Sequence, residues 1–192
     1  MAISGPSEKN AKQPGAAYEF ISNTEDKRRH TFAVIVDNEP GVLARVIGLF
    51  SGRGYNIESL TVSTVTEDES TSRINIVTIG TAMVIEQIKA QLERLVPVHN
   101  VHDLTIEGPH VEKELALVKV KATDHQRRES LRIADIYKAR VADTTLESFV
   151  FLIDGEAEKV DSFIEMMRAL GEVEVARSGV VAISRGSTIT PV

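Results

Sequence analysis

Asn38-Glu39-Pro40-Gly41-Val42 sits between an apolar run and an apolar helical pattern, and fifteen residues after Gly41 comes Asn56-Ile57. These residue types suit recognition of a small zwitterion rather than bond making. A turn that opens a helix leaves backbone N–H groups without partners, and a carboxylate binds there. The helix dipole adds ~0.3–1 kcal/mol at an exposed site. Gly41 carries no Cβ, so a ligand can come close to the backbone. An Asn amide accepts from an ammonium and donates to a carboxylate, which fits Asn38 and Asn56 to the two charged ends of a free amino acid. Ile57 supplies a short apolar wall. Such a wall separates similar aliphatic side chains by only ~1–3 kcal/mol. Two plainer roles stay open: Asn38 as a helix N-cap and Asn56 as a loop residue at positive φ.

The elements around these residues follow from periodicity. Residues 30–36 read as a strand, with Phe32, Val34 and Val36 on one face and Thr31, Ala33 and Ile35 on the other. Val42, Leu43, Val46, Ile47, Leu49 and Phe50 make one broad apolar stripe at helical spacing, closed by Gly52 and Gly54. Residues 57–65 and 73–79 are strand-like, joined by a charged turn at 67–70. Val84, Ile85, Ile88, Leu92 and Leu95 mark a second helix, which Pro97 stops, and 98–106 reads as the closing strand. The order β-α-β-β-α-β is the ferredoxin-like arrangement. Gly108-Pro109 predicts a boundary. Beyond it the same order recurs. Strands are expected at 114–122, 141–146 and 148–153, and a helix at 127–139 with Leu131, Ala134 and Tyr137 facing inward. A helix carries Val160, Phe163, Ile164, Met167 and Leu170, and Gly171 ends it. A closing strand begins at 173–175, with a turn and short strand across 177–186. The expected fold class is α+β, two ferredoxin-like βαββαβ-type domains over residues 29–107 and 110–186. Residues 1–28, rich in Pro, Gly and polar types, are expected to form a disordered N-terminal extension.

Composition narrows the function further. The 192 residues carry a net charge of −6, no Trp and only 5% aromatics. That argues against nucleic acid, which needs a positive field and stacking rings. No apolar stretch approaches the ~20 residues that span a bilayer, so no membrane association is expected. The start lacks a secretory h-region, and the chain has no cysteine. Both fit the cytoplasm. His30, His99, His102, His110 and His125 show no helical i,i+4 pair, so no metal set is expected. Ser178-Gly179 lacks the frame of a nucleophile elbow, and no phosphate-binding glycine motif is present. Glu67-Asp68-Glu69 reads as a solvated turn. Arg177 and Arg185 stay open between steering a partner and plain surface charge.

Three blocks in this order carry a family resemblance. Residues 38–62, from Asn38-Glu39-Pro40-Gly41-Val42-Leu43 to Tyr55-Asn56-Ile57-Glu58-Ser59-Leu60-Thr61-Val62, resemble the ACT domain of the small regulatory subunits of acetohydroxyacid synthase (acetolactate synthase). Residues 111–120 and 175–186 resemble the second domain of that family. The likeness covers about residues 30–186 and leaves the N-terminal extension outside. It implies a subunit with no catalytic site of its own, which pairs with a larger catalytic subunit. Thiamine diphosphate, magnesium and FAD are then expected on that partner, and no cofactor on this chain. It further implies a homodimer through the ACT domain. By the resemblance the subunit activates its partner and confers feedback inhibition by valine or another branched-chain amino acid, expected to be held by Asn38, Glu39, Pro40, Gly41 and Val42 of one protomer and Asn56 and Ile57 of its mate. Pro40 stands where some members carry a small polar residue. The runner-up is a free-standing ACT-type sensor acting on another enzyme or on transcription.

Overall fold

The computed structural model describes residues 26–187 and 189–191. The expected N-terminal extension therefore lies outside the described residues except for its last three. Of those, Arg28 already belongs to a strand, β1 (Arg28–Asp37).

The first half runs β1, α1 (Val42–Ser51), β2 (Ser59–Thr64), β3 (Thr71–Gly80), α2 (Ala82–Leu92) and β4 (Val98–Asp103). Its sheet has the order β2-β3-β1-β4 and is antiparallel throughout. Phe32, Val34 and Val36 meet Val42, Val46 and Phe50 of α1 and Ile85, Ile88 and Leu92 of α2 in one core. The broad stripe expected on α1 is narrower than that. Leu43 and Ile47 are 37% and 38% exposed, because they flank the buried line rather than lie on it. The closing strand also stops early. Asp103 accepts from the Thr105 N–H through Oδ1 at 3.1 Å and caps a single helical turn, α3 (Leu104–Glu107), where the sequence suggests continued strand.

The second half repeats the plan with β5 (His110–Lys121), α4 (Asp124–Tyr137), β6 (Arg140–Thr144), β7 (Ser148–Gly155), α5 (Ala157–Arg168), β8 (Glu172–Arg177) and β9 (Val181–Ser184). The order β6-β7-β5-β8 mirrors the first sheet, with β9 as an addition paired to β5. Ala116, Val118 and Val120 alternate inward and pack on Phe151, Phe163 and Met167. On α4 the inward residues are Ile133 and Ala134, with Tyr137 partly buried against them. Leu131 is 41% exposed, one position off the expected face.

β5 ties the halves together. Its 12 residues start directly after the expected boundary, four residues before the strand read from sequence. His110–Lys113 pair with β9, and Glu114–Lys121 pair with β7. The β5–β9 ribbon lies over the face of the first sheet that the helices leave open. There Ala33, Leu104 and Ala182 form a small buried cluster, and the Arg73 guanidinium donates to the Ala182 carbonyl at 2.8 Å. Both faces of β1 are thus buried, which accounts for its nearly unbroken apolar run.

Candidate functional site

The loop after β1 is pinned from two sides. The Asp37 N–H donates to the Pro97 carbonyl at 2.8 Å, and its carboxylate meets His99 Nε2 at 2.7 Å. The Asn38 N–H donates to Ser70 O, and its side-chain amide donates to Glu69 O, each at 2.8 Å. Asn38 therefore fastens the β2–β3 turn and is not the helix cap. Gly41 is the N-cap, at φ 89° and ψ −8°, with no side-chain cap bond and no acidic residue in the first turn. A Cβ at Gly41 would meet nothing within 4 Å. The left-handed backbone, not tight packing, calls for glycine here. Asn38, Glu39, Pro40 and Gly41 are exposed, while the Val42 side chain is only 3% exposed and belongs to the core. The Val42 side chain faces away from a ligand, and its N–H already donates to the Glu39 carbonyl at 3.3 Å. The result is a solvent-facing helix start whose positive end no carboxylate of the same turn neutralises.

Asn56 and Ile57 follow α1 through a turn at Gly54 (φ 71°). The Thr78 hydroxyl donates to the Asn56 carbonyl at 2.6 Å, and the Asn56 amide donates to Glu58 Oε1 at 2.5 Å. Ile57 packs half-buried at the rim of the first core. β3 measures the separation. Asp37 pairs with Thr71, at one end of that strand, whereas Asn56 is bonded to Thr78 toward the other. The ten residues of α1, about 15 Å of helix, lie between the two groups. One chain does not bring Asn38–Val42 and Asn56–Ile57 together.

Other candidates resolve into structural roles. Arg177 bonds the carboxylates of Glu114 and, at 2.6 Å, Asp161, while Arg185 donates to the His110 carbonyl at 3.1 Å. Burial alone would lower the Arg177 pKa, but its two carboxylate partners outweigh that and raise it. The Ser178 hydroxyl accepts from the Leu115 N–H at 3.0 Å and donates to the Gly179 carbonyl. His99 and His102 each face a carboxylate, Asp37 and Glu107. Among the described residues no cluster of His, Asp or Glu could hold a metal ion, and no helix is long and apolar enough to cross a membrane. Sequence reasoning missed Glu58, Ser59 and Thr78 around Asn56. No periodicity marks a Glu58 carboxylate bonded two residues back, or hydroxyls whose partners are distant in sequence.

The family described as the AHAS small subunit-like ACT domain matches residues 32–100, and that described as the small subunit of acetolactate synthase matches residues 113–186. The acetolactate synthase isozyme 3 small subunit of Escherichia coli is 46% identical over 162 residues, spanning 84% of this chain and 98% of that protein. The acetolactate synthase small subunit of Haemophilus influenzae is 42% identical, across 82% of this chain and 96% of its own length. The solved small subunit of acetolactate synthase from Thermotoga maritima superposes with a TM-score of 0.74 at 36% identity, covering 84% of this chain and 99% of that one. With matches of this extent across both halves, the chain belongs to the acetolactate synthase small-subunit family.

Proposed function

We propose that this chain is the non-catalytic regulatory subunit of an acetolactate synthase. It binds a thiamine-diphosphate-dependent catalytic subunit, raises that subunit's activity and makes it sensitive to a branched-chain amino acid, valine before the others. Residues 29–107 serve as the ACT sensor, and residues 110–186 as the second domain of the assembly. Thiamine diphosphate, magnesium and FAD reside on the partner, and the complex works in the cytoplasm.

The observation that carries the reading is the uncapped start of α1 at Gly41, separated by the whole helix from Asn56. Two half-sites of complementary chemistry at opposite ends of one element suit a two-fold pair, in which each end meets the other end of the mate. The ligand carboxylate then sits at the helix start on the Gly41 amide, beside Val42, with Asn38 and Asn56 serving the polar groups and Ile57 the side chain. Glu39 and Pro40 hold the loop open toward the mate. The homodimer also covers apolar surface. Leu43 and Ile47 stand exposed on α1, and Val62 is 44% exposed on β2, an edge strand.

The test is reconstitution. The purified chain, mixed with the catalytic subunit, should raise acetolactate formation and make it fall with added valine. Formation unaffected by the chain would reject the reading.

A further inference from the structure

Gly179 lies against β2. At its φ of 83° a Cβ would fall 2.9 Å from Ser59 Oγ, 3.0 Å from Thr61 Cγ2 and 3.2 Å from the Leu60 carbonyl oxygen. Only glycine brings the two backbones this close. The next residue has both backbone polar groups engaged by β2 side chains. The Val180 N–H donates to Ser59 Oγ at 2.7 Å, and the Val180 carbonyl accepts from Thr61 Oγ1 at 3.0 Å. Thr61 also accepts from the Asn75 amide of β3 at 3.1 Å, so the turn is fastened to two strands.

This seam adjoins Asn56. The Glu58 carboxylate that holds the Asn56 amide also lines a cleft of about 510 Å³ between the halves, shared with Arg29, Glu114, Arg177, Ser178 and Gly179. The space between β2 and the turn is too small for even a Cβ on Gly179. Movement away breaks both bonds to Val180. A close-packed contact of this kind passes on a small shift rather than absorbing it.

We propose that the Gly179–Val180 turn couples the effector end of the first half to the second half. A ligand that draws the Asn56 amide from Glu58 moves the start of β2, and the turn carries that movement to residues 110–186. Ser59 and Gly179 are positioning residues in this scheme, with no contact to the effector. The inference rests on the reading of Asn56 as an effector contact.

The structure supplies a matched control. Gly186 has the same φ of 83° but nothing within 4 Å of its Cβ position. Gly179→Ala and Gly186→Ala therefore impose similar backbone strain, and only the first wedges the seam. Ser59→Ala, a milder change, removes the acceptor for Val180 without strain. Each full-length variant is reconstituted with the catalytic subunit, and two quantities are read: valine affinity by calorimetry and residual activity at saturating valine. Gly179→Ala and Ser59→Ala should bind valine within about threefold of wild type, yet leave residual activity at saturation raised at least about threefold. Gly186→Ala should match wild type in both. Full inhibition of Gly179→Ala and Ser59→Ala, or an equal loss in Gly186→Ala, overturns the proposal. Absence of valine binding by the wild-type chain would instead overturn the functional reading, and this coupling with it.

Discussion

Gly41 and Asn56 stand at opposite ends of α1, one opening the helix and the other beyond its exit. Their backbones are fixed independently, Gly41 by its left-handed cap and Asn56 by the Thr78 hydroxyl at 2.6 Å. Neither depends on the other to hold its place. Each end therefore holds its own geometry, which is what the proposed site shared between two protomers requires of its half-sites.

Gly41 separates charge from strain. A side chain there meets open space but must adopt φ 89°, which costs about 1–2 kcal/mol for an L-residue. Asn tolerates that region about as well as Asp, so Gly41→Asn controls for the backbone. Gly41→Asp places a carboxylate where the effector's own would sit. Calorimetry should show valine binding lost in Gly41→Asp and retained within about tenfold in Gly41→Asn. Equal loss in both would mean that the effect is conformational and that the anion reading of the loop fails.

Arg177 carries weight for stability. Glu114 is only 5% exposed, and Arg177 is its partner. Arg177→Ala leaves a buried carboxylate unpaired and should cost about 3–5 kcal/mol. Thermal melting should show a fall in Tm on the order of 10 °C. The double change Arg177→Met with Glu114→Leu should recover most of it, since no unpaired charge remains. A single-variant Tm within about 2 °C of wild type would contradict the role.

Glu112 gives the contact between the halves an acid limit. Burial opposes its ionisation, but the Thr31 hydroxyl and the Arg29 guanidinium at 2.7 Å outweigh burial and hold its pKa below the ordinary 4.5. A carboxyl depressed on folding adds stability that is complete above its unfolded pKa and disappears as pH falls through the lower folded value. The Tm difference between wild type and Glu112→Gln should be largest near neutrality and shrink on acidification below about pH 4.5. A difference that is constant from neutral pH into the acid range would show that Glu112 contributes by shape alone.

The fold was largely legible because it repeats simple periods. Alternation located Phe32, Val34 and Val36, helical spacing located Val160, Phe163, Ile164 and Met167, and both halves came out in the same order. Gly41 was legible as a special position because it lacks a Cβ at a helix start, while its positive φ and its place as the N-cap were not. Periodicity misjudged residues beside a buried line, such as Leu43, Ile47 and Leu131, since apolarity does not say which flank meets the sheet. It missed α3, which depends on one cap from Asp103, and the covering of the first sheet by β9. The seam at Gly179 had no signature at all. It is built from two hydroxyls and the backbone of Val180, and those side chains follow no pattern.

The shared site is tested most directly by mixing two defective chains. Gly41→Asp spoils the helix-start half-site, and Asn56→Ala spoils the other, by about 1.5–3 kcal/mol. Each variant alone forms dimers in which both sites are impaired. In a mixed dimer that exchanges ends across a two-fold axis, one site receives both defects and the other receives neither. After dissociation and reassociation of an equal mixture, calorimetry should find about a quarter of the sites binding valine at wild-type affinity. No recovery of high-affinity sites in dimers shown to be mixed would mean that the two half-sites do not complete each other across the dimer and would contradict the account.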